Sequence, residues 1–266
     1  MFRFVQRGKV CCLESEALKA CGFLTHAFLT RWNGVSEGKF SSLNFSTREG
    51  DEEDRVARNW DILAGVFGIP PSQFFMIRQI HGDEVVVAHG TGDTSWAHPP
   101  VECDAVITSS RRVAIGIKTA DCVPILLADR ARQVIGAVHA GWKGTSLNIA
   151  AKSIRVMMER FSSRPQDILA AIGPAVGSCC YQVDAKVFSS SGGDEDWTSA
   201  FRSCAEDGRW MLDLALANRK QMLRAGLPPE NISSLGMCTS CRTDLFFSHR
   251  AEKGGTGRQL NFIVLN

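Results

Sequence analysis

The sequence predicts a single α/β or α+β domain, and three observations lead to that prediction. Short runs rich in β-branched residues alternate with longer segments in which apolar residues recur at helical spacing. The links between the central β-rich runs are too short for helical crossovers, so we expect a mixed or mostly antiparallel sheet. No linker composition interrupts the chain, and we expect residues 1–266 to form one domain.

The first clear helix begins near Glu52. Its apolar residues fall on one face of a helix: Val56, Trp60, Leu63 and Phe67. Gly68 and the pair Pro70 and Pro71 follow, and these residue types end helices. The pattern therefore predicts an amphipathic helix over roughly 52–67.

The central part of the chain predicts three strands. Their sequences are VAIGIKTA (113–120), CVPILLAD (122–129) and QVIGAVHAG (133–141). The short polar link from Asp129 to Arg132 predicts a tight hairpin between the second and third strands. The final segment, RQLNFIVLN (258–266), predicts a terminal strand.

Two further helices and a loop are indicated after the central strands. A helical stripe runs through Leu147, Ala151, Ile154, Met158 and Phe161, with Thr145 or Ser146 expected as its N-cap. A later helix should run from Leu212 to Ala225, where Gly226 suits the C′ position and Pro228 prevents continuation. The stretch SSSGGDED (189–196) is expected to be a loop-like insertion.

Composition restricts the class of protein. The net charge of +2 and the absence of a basic stripe argue against nucleic acid as a partner. No run of about 18 apolar residues predicts a membrane span, and the N-terminus lacks the apolar core of a signal peptide. We therefore expect a cytoplasmic protein with reduced cysteines, most of them small core residues. No exposed apolar stripe is evident, so a monomer is expected.

Three residues at predicted element ends could carry chemistry. His81 lies in RQIHGDEV, where a β-like run meets a Gly-Asp turn, Cys122 lies between two strands, and His139 ends a strand before a glycine turn. Two imidazoles and one thiolate can bind zinc and leave a fourth position open. The same residues could instead form a cysteine nucleophile activated by histidine, with Asp121 or Asp83 as the orienting acid. In the third interpretation, the three are unrelated polar or core residues.

The turn after His139 suggests an anion site. In AGWKGTS the chain passes directly into a helix N-terminus, whose free N–H groups and dipole favour an anion, and Lys143 could add charge. Arg250 or Arg258 could grip a phosphate or carboxylate bidentately. Alternatively the glycines only make a tight turn and Lys143 is solvated. His249 is as readily a structural hydrogen-bonding residue as a ligand.

Two other stretches have weaker signals. In the loop RWNGVSEGKFSSLNFS (31–46), Ser42 and Asn44 could hydrogen-bond a sugar or a base edge, although Asn in turns more often serves backbone geometry. CTSC (238–241) matches CxxC, but no second CxxC accompanies it, so metal binding there is not favoured.

The chain resembles the YfiH/laccase-domain family. The matching motifs occur in the family's order: TRWNGVSEGKFSSLNF, RQIHGDEV, CDAVITS, KTADCVPILLAD, GAVHAGWKGT, AIGPAVGSCCYQV, CTSCRTDLFFSHR and GTGRQLNF. The resemblance implies two mixed sheets packed between helical layers. It also implies that His81, Cys122 and His139 form the family's metal-binding trio, usually holding zinc.

The resemblance also implies several activities. They are phosphorolysis of adenosine, inosine, guanosine and methylthioadenosine, deamination of adenosine, copper-dependent phenol oxidation, and editing of misincorporated amino acids in peptidoglycan precursors. Six histidines cannot supply a multicopper cluster, so copper oxidation is not expected. A zinc-dependent purine nucleoside phosphorylase is the leading hypothesis, a precursor-editing hydrolase the second, and a non-catalytic module with Cys238 as fourth ligand the third.

Two positions depart from the family pattern. Many members have Asn-Arg where this chain has Asn59-Trp60, and many have Glu where it has Gln182. If that arginine contacts phosphate in relatives, its replacement by Trp60 argues against phosphorolysis in this chain. Neither departure touches the metal trio.

Overall fold

Two six-stranded sheets form the centre of the fold, seen in a computed structural model that describes residues 1–90, 101–204 and 208–266. The strands are β1 (Phe2–Arg7), β2 (Val10–Ser15), β3 (Leu24–Leu29), β4 (Phe74–Phe75), β5 (Val85–Val87), β6 (Ala105–Thr108), β7 (Ala114–Thr119), β8 (Val123–Asp129), β9 (Val134–Ala140), β10 (Ile168–Ile172), β11 (Gln182–Asp184), β12 (Phe201–Ser203), β13 (Arg209–Leu212), β14 (Ile232–Ser234) and β15 (Gln259–Leu265). The α-helices are α1 (Glu16–Lys19), α2 (Glu53–Phe67), α3 (Trp142–Ser146), α4 (Ile149–Phe161), α5 (Ala185–Phe188), α6 (Glu195–Thr198) and α7 (Leu214–Arg224).

Both large sheets are mixed, as predicted. The first has the order β1-β2-β3-β15-β7-β4, with only the β4–β7 pair parallel. The second has the order β14-β10-β8-β9-β6-β5, with parallel pairs at its two edges. A small sheet, β11-β13-β12, lies beyond what the sequence predicted. The three central strands do not share one sheet, because β7 belongs to the first and β8 and β9 to the second.

Three apolar layers hold the sheets and helices together. Alternate residues of β7 and β15 meet those of β8, β9 and β10 between the sheets, for example Ile115 and Ile263 with Leu126 and Ala137. On the outside, α2 covers the first sheet, while α4 and α7 cover the second. The order of layers is therefore helix, sheet, sheet, helix. No helix in the described part of the chain is long and apolar enough to cross a membrane.

Most of the predicted elements are confirmed. Helix α2 ends at Gly68, whose φ of 68° is the left-handed conformation that glycine adopts most readily. The β8–β9 hairpin pairs Asp129 with Val134, as the short link required. Helix α7 begins two residues later than predicted, where Asp213 accepts a hydrogen bond from the Leu216 N–H and so caps it.

The predicted helix after Gly144 is wrong in two respects. Thr145 and Ser146 are not N-caps, because α3 already begins at Trp142 and the chain breaks at Asn148, whose φ is 64°. The buried face of α4 is also different: Leu147 and Met158 are exposed, and Ile149, Ser153, Ile154 and Met157 are buried. The break at Asn148 places Leu147 outside α4, and the fully buried residues of α4 include only Ile154 of the predicted stripe.

Two loops differ from prediction. Residues 189–196 contain a short 3-10 turn and the start of α6, whose N-cap Asp194 accepts hydrogen bonds from two backbone N–H groups. The β-like run before His81 is not a strand; Arg78 makes a single bridge to Glu102 and the chain then turns before β5.

Candidate functional site

His81, Cys122 and His139 come together although they lie on three separate segments. His139 is the next-to-last residue of β9, Cys122 lies in the turn between β7 and β8, and His81 lies in the loop before β5. The nearest ligand atoms of the three side chains lie within 4.8 Å of one another, and the two imidazole centroids are 4.8 Å apart. The left-handed φ of 58° at His81 turns that side chain towards the other two.

Asp104 fixes both histidines. Its Oδ1 lies 2.7 Å from Nδ1 of buried His139, and the same carboxylate accepts hydrogen bonds from the backbone N–H groups of His81 and Gly82. With Nδ1 engaged, the Nε2 atom of His139 is free to face Cys122. This carboxylate–histidine arrangement is the usual support of a metal-ligating imidazole. Asp104 is therefore the orienting acid, in place of Asp121 or Asp83.

Cys122 and His139 stabilise each other in their charged forms. Burial alone would raise the pKa of the Cys122 thiol, but the charge of His139 and hydrogen bonds from both imidazoles lower that pKa to about 6. Burial opposes protonation of His139, yet Cys122 and Asp104 raise its pKa to about 9. The thiol proton thus resides on the imidazole near neutral pH. A thiolate with adjacent imidazoles can ligate a cation or act as a nucleophile.

The glycines after His139 allow close packing on this centre. A Cβ atom at Gly141 would lie 3.0 Å from Nδ1 of His81 and 3.2 Å from Sγ of Cys122. A Cβ atom at Gly144 would lie 2.6 Å from the carbonyl oxygen of Gly82. Helix α3 has only five residues, and Lys143 is exposed and placed beside the Trp142 ring. The structure thus favours the interpretation of AGWKGTS as a tight turn. Its glycines are needed because the backbone packs closely against His81, Cys122 and Gly82.

A cleft of about 1110 Å³ opens over the trio. Its described lining contains six lysine or arginine side chains and two carboxylates: Arg48, Arg78, Lys118, Arg250, Lys253 and Arg258, with Glu49 and Asp121. Burial, followed by the charges of Arg258 and Arg48, lowers the pKa of Lys118. Cations that crowd one another in this way create a positive potential that attracts an anion.

Asp121 organises the wall beside Cys122. Held at a φ of 92°, it accepts hydrogen bonds from the hydroxyls of Thr239 and Ser248 and from the backbone N–H of Arg250, at 2.6–2.7 Å. The Arg250 guanidinium lies 5.0 Å from the centre of the Tyr181 ring and donates to the carbonyl oxygen of Gln182. Asp121 therefore acts as a structural hub, while Arg250 faces the cleft.

Several sequence-predicted residues lie elsewhere. Asp83 forms an ion pair with Lys152 outside the cleft lining. The Ser42 hydroxyl bonds the carbonyl oxygen of Arg31, and Lys143 does not line the cleft either. Asn44 is fully buried, and its Oδ1 accepts the backbone N–H of Arg258. Asn44 thus positions a cleft residue and does not itself reach the cleft.

The two departures from the family pattern are both near the cleft. Trp60 packs edge-on against Phe45 and Phe74 and contributes to the cleft lining, where it offers a ring and no charge. Gln182 begins β11, and its carbonyl oxygen holds Arg250.

Sequence reasoning missed Asp104, Lys118 and Tyr181. Asp104 lies in CDAVITS, a motif that resembled the family but carried no assigned role. Lys118 was overlooked because a single lysine at the end of an apolar strand resembles an ordinary solvated residue. Its position four residues before Cys122, near the end of the strand that enters that turn, was the available signal.

CTSC also has partners that spacing did not reveal. Cys238 and Cys241 lie beside Cys179 and Cys180, and the four sulfur atoms are within 4.8 Å of one another. The sequence indicated no second CxxC, but the adjacent pair in GSCCYQ supplies the other two thiols.

Comparison with known proteins gives consistent matches. A family model described as multi-copper polyphenol oxidoreductase laccase matches residues 25–266. A protein of Geobacillus stearothermophilus named purine nucleoside phosphorylase YlmD is 36% identical over 244 residues, 88% of this chain and 87% of that protein. A purine nucleoside phosphorylase of Deinococcus radiodurans is 38% identical over 90% of this chain and 88% of its own length. The crystal structure of a hypothetical protein YfiH from Bacillus licheniformis superposes with a TM-score of 0.90 at 34% identity, covering 100% of this chain and 99% of the other.

Proposed function

This chain belongs to the laccase-like YfiH family, and on that premise we propose that it is a metal-dependent purine nucleoside phosphorylase. The substrates would be adenosine, inosine, guanosine and methylthioadenosine, cleaved by phosphate to the base and ribose 1-phosphate or its methylthio derivative. The observation that carries the proposal is a metal-ligand trio at the floor of a cleft whose lining is rich in cations.

The donor set fits a single zinc ion. Two imidazoles and a thiolate leave one coordination position open, which is typical of catalytic zinc, and Asp104 supplies the outer carboxylate that such ligands require. When bound, the ion would supply a Lewis acid at the floor of the cleft. Within the described residues, this cluster holds two histidines, too few for a multicopper centre.

Phosphate would bind to the cationic group formed by Arg48, Lys118 and Arg258. Lys118 is at the end of β7, immediately before the turn that carries Cys122, and Arg258 is at the start of the chain segment entering β15. Glu49 pairs with Arg258 and orients its guanidinium. Because these cations come from residues other than position 60, the proposed phosphate site does not require an arginine at that position.

The apolar side of the cleft suits a purine. Trp142, Tyr181, Val176 and Leu214 line one wall, and aromatic rings offer flat surfaces for a base. Arg250, whose guanidinium packs on the Tyr181 ring, also lines the cleft. The base would therefore lie against this wall, with the glycosidic bond towards the trio and the phosphate towards Lys118.

The proposal is tested by incubating purified protein with adenosine and phosphate. We expect adenine and ribose 1-phosphate in stoichiometric amounts, lost by at least about 100-fold in Cys122→Ala. Cys21→Ser, which changes a cysteine remote from the cleft, is the matched control and should keep full activity. Zinc content is measured on the same preparations.

Two other results would contradict phosphorolysis. Inosine without adenine would assign the open metal position to deamination. No nucleoside turnover by zinc-loaded protein would refute the nucleoside assignment, and release of an amino acid from a peptidoglycan precursor would then support the editing hydrolase.

A further inference from the structure

A second thiol centre lies outside the site described above. Cys179 and Cys180 follow β10, and Cys238 and Cys241 follow β14; together we call them the four-cysteine cluster. The Sγ atom of Cys241 is 3.4 Å from that of Cys180 and 3.6 Å from that of Cys179. These separations exceed the roughly 2.05 Å of a disulfide bond.

The sulfur geometry fits one tetrahedral zinc ion. Zinc–thiolate bonds of about 2.3 Å place the four sulfur atoms roughly 3.8 Å apart. The separations of 3.4 and 3.6 Å from Cys241 approach that value, and none of the four atoms is more than 4.8 Å from another. The ligands come as one adjacent pair and one CxxC on two loops, so metal binding would close a cross-link between them.

The backbone at Gly177 lies in direct contact with the thiols of the four-cysteine cluster. The N–H of Gly177 donates to Sγ of Cys238 at 3.2 Å, as backbone amides do to metal-bound thiolates. A Cβ atom at Gly177 would approach Cβ of Cys238 to 3.2 Å and Sγ of Cys179 to 3.3 Å. A side chain at this position would force these neighbouring atoms to shift by a few tenths of an ångström, so glycine suits the close approach of the loop to the sulfur atoms.

We propose that the four-cysteine cluster binds one structural Zn²⁺ ion that joins the loop after β10 to the loop after β14. Binding replaces the four S–H protons, which pass to solvent, by four zinc–sulfur bonds. All four positions are then protein ligands, so the ion has a structural role and no open site.

The cross-link would stabilise the cleft wall. Ala175 bridges Cys238, the Val176 N–H donates to the carbonyl oxygen of Asp121, and Thr239 donates to the Asp121 carboxylate. Both loops therefore meet at Asp121, one residue before Cys122. Tyr181 follows Cys180 directly, so fixing the loop also fixes the aromatic wall.

The test uses a background that lacks the other thiolate. In Cys122→Ala, cobalt substituted for zinc can show strong sulfur-to-cobalt absorption only from the four-cysteine cluster. We expect this absorption in Cys122→Ala, and its loss together with one metal equivalent per chain when Cys179→Ser and Cys241→Ser are added. Adding Cys21→Ser instead should change neither quantity. Equal metal content and spectra in the two combinations would overturn the proposal.

A second measurement on the unmodified chain does not depend on variants folding. Cys179 and Cys241 are exposed, so iodoacetamide should label them rapidly after zinc removal and at least about ten-fold more slowly in zinc-loaded protein. Equal labelling rates, or a disulfide joining Cys241 to Cys179 or Cys180 in the zinc-loaded protein, would overturn the proposal. Neither result bears on nucleoside turnover, so this test and that of the proposed function fail independently.

Discussion

Asp104 positions two members of the trio without belonging to it. It holds the Nδ1 side of His139 and the backbone of His81 at once, and hydrogen bonding to His139 keeps its own pKa low although burial would raise it. Asp104→Asn keeps the shape but replaces the anionic acceptor by a neutral amide. We expect zinc affinity to fall about 10- to 100-fold, measured by competition with a chromogenic chelator.

The matched control for this change is Asp83→Asn. Asp83 is in the same loop as His81 but pairs with Lys152, so its variant should retain zinc affinity. An equal loss in both variants would indicate a general disturbance of the loop and would contradict the positioning role of Asp104. Phosphorolysis measured at saturating zinc should recover in Asp104→Asn more than at limiting zinc.

His26 is a histidine with a purely structural role and a predictable pH signature. Burial lowers its pKa to about 4, outweighing the negative charge of Glu14, and its Nε2 accepts the backbone N–H of Ser15. In the unfolded chain the pKa is about 6.5. Between these two values only the unfolded state binds the proton, so stability is complete above pH 6.5 and falls as pH decreases towards 4.

Through His26, the free energy of unfolding should fall by about 2 kcal/mol between pH 7 and pH 5. It is measured as the change in the free energy of unfolding in urea, compared with that of His26→Gln. The variant should be less stable at pH 7 but lose about 2 kcal/mol less than the wild type on acidification. Parallel losses in the two proteins would show that His26 does not carry the effect.

At the scale of elements, periodicity predicted the helices that run without interruption. Helix α2 satisfies its predicted apolar face and ends at Gly68. Periodicity did not predict the two helices of segment 142–161, because Asn148 adopts a left-handed conformation and interrupts what reads as one helix. Asn tolerates that conformation better than other non-glycine residues, but nothing in the local pattern distinguished a break from an exposed helical position.

Asn148 can be tested as the break between α3 and α4. Its φ of 64° is disfavoured for residues with a Cβ atom, and its Oδ1 accepts a hydrogen bond from Arg224. Asn148→Ala should destabilise the protein by about 1–2 kcal/mol, whereas Asn148→Gly, which adopts this φ freely, should cost less. Urea unfolding of both variants provides the measurement. Greater loss in the glycine variant would mean that the Arg224 contact dominates.

At the scale of the whole molecule, the site combines loops from both sheets. His139 belongs to the second sheet and Asp104 immediately precedes its strand β6, whereas Lys118 belongs to the first sheet and Cys122 to the turn that crosses between the sheets. The sequence indicated the three candidate ligands because each lies at an element end beside small or acidic residues. It did not indicate Lys118 or the four-cysteine cluster, because their partners are brought near only by the packing of distant segments.

The position of Lys118 among other cations of the cleft leads to a prediction about phosphate binding. Lys118 is half-buried near Arg258 and Arg48, where low solvent exposure strengthens its attraction for an anion. Lys118→Gln should therefore raise the KM for phosphate about 10- to 100-fold, with a much smaller change in the KM for the nucleoside. Steady-state kinetics with each substrate varied in turn will measure the two constants separately.

Lys143→Gln provides the matched control, because it removes the same charge from an exposed lysine outside the cleft lining. It should leave both constants unchanged within about two-fold. A dominant effect of Lys143 would instead locate phosphate at the turn after His139, on the other side of the trio. The two variants thus decide between an anion site made by the short helix α3 and one made by Lys118, Arg258 and Arg48 beside the first sheet. The second arrangement is favoured because Lys118 and Arg258 are partly buried and the charges of Arg258 and Arg48 lower the pKa of Lys118, a repulsion that a bound anion would relieve.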